Sequence, residues 1–243
     1  MAKLVQKSGY IKSGKASGYM RYIATREGVE KLAGNGAVTK GQRELIQKLL
    51  TDFPDAVELF EYEDYCKTPT LGTASAFISM ALDANLHEID SESGYMQYIA
   101  TRPRVQKRGT HGLFSSATAV DLASAMSELE AHEGNVWTII YSLRREDAAR
   151  LEYDNADAWR TLLMENAPAL AKSMKISLDN FHWYAAFHNE GHHPHIHMMV
   201  WSDDPKEGFL TKDGIAAMRS KLTNAIFRDE MQQIYERKDV AYS

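Results

Sequence analysis

The chain has 243 residues, of which 44% are apolar types and 25% are charged, the balance of a folded domain and not of a disordered or collagen-like chain. One cysteine, Cys66, excludes an intramolecular disulfide and a multi-cysteine zinc site. Taken as averages, a formal net charge of −5 and a pI near 6.0 argue against a polyanionic partner. No stretch approaches the roughly 20 apolar residues of a membrane span.

In chain order, residues 1–10 carry Lys3 and Lys7 without the apolar run of about 7–15 residues that a secretory signal needs, so a soluble cytoplasmic protein is expected. Leu4–Ile11 alternates as a first strand and ends at Ser13-Gly14. Thr39–Leu50 and Thr51–Tyr65 read as helices with a break at Asp52-Phe-Pro54, and Ser75–Leu86 is a third. His111–Phe114 reads as a loop, and Ala119–His132 has helical periodicity up to Gly134-Asn135. Val136–Leu143, rich in β-branched and aromatic residues, is the clearest strand. Asn155–Met174 is an amphipathic helix. Phe181–Phe187 and Ile196–Trp201 form two strands of an antiparallel hairpin, and Thr211–Glu236 closes the chain as a helix. The sum is an α+β fold, a central antiparallel sheet with helices packed on it.

Charge is laid down in blocks. Residues 1–48 hold ten Lys/Arg against three acids, a net of +7, and residues 52–92 hold ten acids against Lys67 alone, a net of −9. Arg102, Arg104, Lys107 and Arg108 then add four positive charges. A whole-chain average therefore says little about a polyanionic ligand. A repeat follows the same layout: Ser17–Arg26 recurs as Ser93–Arg102 with nine matches in ten at an offset of 76 residues. Each copy spaces two tyrosines three apart, Tyr19/Tyr22 and Tyr95/Tyr98, which puts both rings on one face if the segment is helical.

Five of the nine histidines fall within residues 188–197. His195 and His197 are two apart on a predicted strand, so both imidazoles leave the same face while Ile196 turns to the core. His188 ends the preceding strand, and the turn brings it back opposite them. Three converging imidazoles suit a divalent metal with open coordination positions, leaving Glu190 and His192 as outer partners or auxiliary bases.

Phe187–Trp201 resembles the third motif of the HUH endonucleases, and in its local wording the MobL/MobP-type relaxases of plasmids and conjugative elements. Tyr22–Arg26 resembles their first motif, and Trp137–Asp147, Tyr153–Ala156 and Trp159-Arg160 also look like that family. The resemblance implies one relaxase domain over 1–243 with the HUH fold, and a mainly helical acidic segment at about 39–92 inserted between the two Tyr-Ile repeats. It implies a single-strand endonuclease and transesterase that nicks an origin of transfer through a covalent 5′-phosphotyrosine and so starts mobilisation. The implied metal ligands are His188, His195 and His197, with Mn or Mg as the ion and Zn, Ni or Co as further possibilities. Tyr22 is favoured as nucleophile because it follows the first strand directly, Tyr98 is its equivalent in the repeat, and both together, one for nicking and one for terminal transfer, is a third option. Lys12, Lys15, Arg21 and Arg26 around the first repeat, and Arg102, Arg104, Lys107 and Arg108 after the second, are expected to neutralise DNA phosphates. The acidic block is then expected to face away from DNA or to shield the groove in part. Single-stranded DNA, accessory relaxosome proteins and a coupling protein are the implied partners, with no membrane. The competing readings are an HUH replication initiator or transposase, and a non-catalytic DNA-binding relative.

Overall fold

The computed structural model describes residues 3–10, 35–85, 92–101, 105–189 and 193–228. Tyr22, Lys12, Lys15, Arg21, Arg26, Arg102, Arg104 and Glu190 lie outside them, as does residue 229 onward of the predicted last helix. In chain order the elements are β1 (Val5–Tyr10), α1 (Lys40–Asp52), a 3-10 turn (Pro54–Glu58), α2 (Phe60–Lys67), α3 (Leu71–Ala84), α4 (Glu92–Thr101), β2 (Leu113–Phe114), α5 (Leu122–Glu130), β3 (Trp137–Ser142), α6 (Arg145–Arg150), α7 (Ala156–Ser173), a 3-10 turn (Leu178–Asn180), β4 (Phe181–His188), β5 (His195–Ser202) and α8 (Lys212–Ile226).

The helix starts follow from local chemistry. Thr39 accepts from the Gln42 amide while the Gln42 side chain accepts from the Thr39 amide, a reciprocal cap for α1. Asp121, Asn155 and Thr211 cap α5, α7 and α8 by accepting from Ser124, Ala158 and Gly214 amides. Between α1 and α2, Pro54 lacks the amide proton that a continuing helix needs, and the chain runs as a 3-10 turn to Leu59 before α2 begins. Of the predicted helix 51–65, Thr51 and Asp52 thus complete α1 and the remainder is a 3-10 turn followed by the start of α2.

Five strands form one antiparallel sheet in the order β1-β3-β5-β4-β2. The expected α+β architecture is present. His111–Phe114, predicted as a loop, contributes β2, because Leu113 and Phe114 pair with Ala186 and Ala185 at the sheet edge. At that edge Gly112 donates to the Ala100 carbonyl at 2.8 Å, and a Cβ on Gly112 would overlap the Val105 side chain, so glycine lets the 105–106 segment lie this close to the start of β2.

Strand alternation gives the sheet two unlike faces. One carries Ile139, Tyr141, Trp183, Phe187, Ile196, Met198 and Val200, which pack on Trp159, Leu163 and Leu170 of α7 and Met218 and Leu222 of α8 in a single core. Burying each of the large side chains contributes about 1.5–3 kcal/mol. The opposite face carries Ile140, Ala186, Met199 and Trp201 together with the histidines. Its cover is divided: Met96, Ile99 and Ala100 of α4 and Ala125 and Leu129 of α5 lie over Ala186, Met199 and Trp201, while α1 to α3 form their own cluster around Leu49, Phe77 and Ile78 that reaches the sheet at Ile140.

Candidate metal centre

The hairpin register builds the centre. His188, the last residue of β4, lies directly opposite His195, the first of β5, and His197 lies opposite Ala186. All three side chains therefore share the histidine face, and Ile196 between them enters the opposite core, as the alternation required. Their ring centroids are 4.6 Å (His188 to His197), 5.0 Å (His195 to His197) and 5.2 Å (His188 to His195) apart. One ligating nitrogen from each lies within 4.8 Å of the others, and the residues are 0%, 1% and 0% exposed. No other group of three or more His, Cys, Asp or Glu with this geometry occurs among the described residues.

Two of the rings are oriented by backbone carbonyls. Nε2 of His188 is 2.8 Å from the carbonyl oxygen of Ile99, and Nδ1 of His195 is 3.1 Å from that of His193. A carbonyl can only accept, so these nitrogens carry the protons, and in the neutral rings the lone pairs fall on Nδ1 of His188 and Nε2 of His195. A metal-ligating histidine characteristically gives its second nitrogen to such an outer acceptor. Ile99 belongs to the last turn of α4, where carbonyls have no partner within the helix and the helix dipole is negative, a favourable neighbour for a cation. The donor set, three buried imidazoles of which two are oriented by backbone carbonyls, fits a divalent metal ion.

The second repeat thus lies against this centre through α4, which carries Tyr98 next to Ile99 in the chain. The segment after it also runs alongside: Val105 bridges to His188, and the Gln106 amide donates to the Phe187 carbonyl at 2.8 Å. Of the predicted basic residues in this stretch, Lys107 is exposed and Arg108 is ion-paired with Asp157.

Sequence reasoning did not single out the contribution of the acidic segment. Asp64 of α2 accepts from Nε2 of His193 at 2.7 Å and from the Arg144 guanidinium at 3.2 Å, and Arg144 also reaches Glu63 at 3.0 Å. The Phe60 ring stacks on His193 with centroids 5.1 Å apart, and Arg144 lies over its ring at 4.6 Å. Lys3 contacts Glu63 at 3.5 Å, and Lys7, only 5% exposed, is ion-paired with Asp55. The acidic helices therefore sit on this end of the sheet with their carboxylates on its cations. Burial alone raises the Asp64 carboxyl, but the hydrogen bonds and charges of His193 and Arg144 outweigh it and hold the group below its ordinary value. The sequence signal was the acid block itself together with the Arg144-Arg145 pair after β3; their partnership spans too much chain to be read from spacing.

Among the described residues no helix is long and apolar enough to cross a membrane. Neither a curated protein nor a solved structure matches the chain. The family model for MobL relaxases matches residues 1–242, and its agreement with the histidine centre and the antiparallel sheet leads to one conclusion: the chain belongs to the MobL relaxase family.

Proposed function

We propose that residues 1–243 act as one relaxase domain that nicks single-stranded DNA at an origin of transfer and retains the broken end as a 5′-phosphotyrosine. The observation that carries this reading is the convergence of His188, His195 and His197 on one buried point of a MobL-family sheet. These three residues hold a divalent ion, and their nitrogen donors suit Mn, Zn, Ni or Co better than Mg, which prefers oxygen. When bound, such an ion supplies Lewis-acid polarisation of a phosphate oxygen.

The remaining chemistry belongs to the chain. A tyrosine hydroxyl oxygen attacks the phosphorus, the new O–P bond forms as the bond to the 3′ oxygen breaks, and the phenolic proton ends on the departing 3′-hydroxyl. Because one phosphoester replaces another, the step reverses, which strand rejoining needs. Tyr22 and Tyr98 are the nucleophile candidates. Tyr22 is supported by its place directly after the first strand, and Tyr98 by the hydrogen bond that ties its neighbour Ile99 to His188. Glu190, two residues beyond His188, is assigned as an auxiliary base. Lys12, Lys15, Arg21, Arg26, Arg102, Arg104, Lys107 and Arg108 are assigned to phosphate contacts, with accessory relaxosome proteins and a coupling protein as further partners. The test is incubation with single-stranded oligonucleotides spanning an origin of transfer plus Mn²⁺, scored by a protein band that gains covalent DNA. The expected result is an adduct lost in Tyr22→Phe, Tyr98→Phe or their combination. An adduct that survives the double substitution refutes the tyrosine assignment.

A further inference from the structure

The histidine centre is oriented from a part of the chain that supplies none of its ligands. His193 and Pro194 lead into β5, and this dipeptide is gripped from two sides. Leu143, which follows β3, donates its amide to the Pro194 carbonyl at 3.2 Å. On the other side the His193 ring stacks on Phe60 and is hydrogen-bonded to Asp64, and Arg144 closes the circle by touching both Phe60 and Asp64. The carbonyl of the residue so held accepts from Nδ1 of His195. A rotation of the His193 peptide would remove that acceptor, and the His195 ring would lose the reason to present Nε2 to the centre.

We propose that Asp64 is a positioning residue for the centre: by holding the His193 ring it fixes the His193 carbonyl, and through it the tautomer and direction of His195. The proposal rests on the reading of the three histidines as ligands for a divalent ion. Asp64 touches neither ion nor substrate, and the helical segment that carries it becomes part of the metal centre instead of a surface insertion. Outer partners of metal-bound histidines are worth about 10–100-fold in metal affinity when removed. The same scale is expected here for loss of the carboxylate.

Two readouts separate this role from mere anchoring of α2. The first needs no metal: long-range proton–nitrogen NMR of the histidine rings reads the tautomer of His195 directly. Wild type is expected to carry the proton on Nδ1, and Asp64→Ala to show a tautomer mixture. The second is titration with Co²⁺, followed by its visible absorption, in which Asp64→Ala is expected to bind about 10–100-fold more weakly with an altered spectrum. Asp64→Asn keeps an oxygen acceptor for His193 and is expected to restore the tautomer and most of the affinity, which also keeps the proposal testable if the alanine variant does not fold. Glu63→Gln, on the same helix and in contact with Arg144 but not with His193, is expected to leave both readouts unchanged. An unaltered His195 tautomer and Co²⁺ affinity within twofold of wild type in folded Asp64→Ala would overturn the proposal. Failure of wild type to bind Co²⁺ would sink the metal reading itself, whereas the NMR result judges the positioning role alone.

Discussion

The two faces of the central sheet are made by the same strands and behave as different materials. On one side Phe187, Ile196 and Met198 enter a continuous apolar core under α7 and α8. One residue along each strand, His188, His195 and His197 face the other way, under a cover split between α4–α5 and α1–α3. The apolar face is one continuous packed core, whereas on the other face, beside its own apolar contacts, two of the three histidine rings are oriented by hydrogen bonds to particular carbonyls. Stability and chemistry are thereby segregated at a spacing of one residue, and substitutions on neighbouring positions should fail in different ways.

The strongest contrast is between Phe187 and His197. Phe187→Ala is expected to cost roughly 3–5 kcal/mol of folding free energy, measured by urea denaturation, because it empties the fully packed side. His197→Ala is expected to stay folded but to lose more nicking activity than the 10–100-fold typical of outer-partner changes, since it removes one of the three proposed ligands. The same pair can be separated by heat: at about 100 times its dissociation constant an added divalent ion stabilises wild type by roughly 2.7 kcal/mol, and this gain should vanish in His197→Ala. Retention of the full metal-dependent rise in Tm by His197→Ala would erase the distinction between the faces.

A smaller effect refines the description of the apolar side. Tyr141 is fully buried there and its hydroxyl has no hydrogen-bond partner among the described residues, so burial pushes its pKa far above the usual phenol value. Tyr141→Phe removes this unsatisfied group with little change of shape and is expected to raise stability by about 1 kcal/mol with activity intact. A destabilised phenylalanine variant would mean that this face, too, depends on a polar contact.

The smallest expected effect lies on the acidic cover of the histidine side. A hydrogen bond from Lys67, opposed by partial burial and aided by the charges of Lys3 and Arg144, holds the Glu63 carboxyl at about 2. A depressed carboxyl contributes stability above its unfolded value of 4.5 and loses it as pH falls toward 2. Wild type should therefore lose stability over that window slightly faster than Glu63→Gln, by a modest margin because the side chain is partly exposed. Parallel pH curves for the two proteins would show that Glu63 contributes nothing to the docking of α2.

Much of this contrast could be read in the sequence. The alternation of His195, Ile196 and His197 on a predicted strand assigned the two faces correctly, and the composition of Val136–Leu143 marked β3, which lies between β1 and β5. β2 escaped notice because two residues carry no periodicity, and its strand character comes only from pairing with Ala185 and Ala186. Ile99 was invisible as a site residue since its contribution is a backbone carbonyl, which any side chain would offer. Asp64 was visible only as one acid among ten, because its meeting with His193 is decided by how α2 lies on the sheet.

The strand pairings also carry an order of assembly. β4 and β5 are the only described strands that pair through a short connection; β1 must find β3, and β2 must find β4, across far longer stretches of chain. Local pairings close first because they sacrifice the least chain entropy. His188 and His195 therefore become neighbours early, whereas Ile99 and Asp64 reach them only when α4 and α2 dock. A metal ion present during folding would meet the three proposed ligands before the groups proposed to orient them, and addition of the ion after folding should give the more uniform centre.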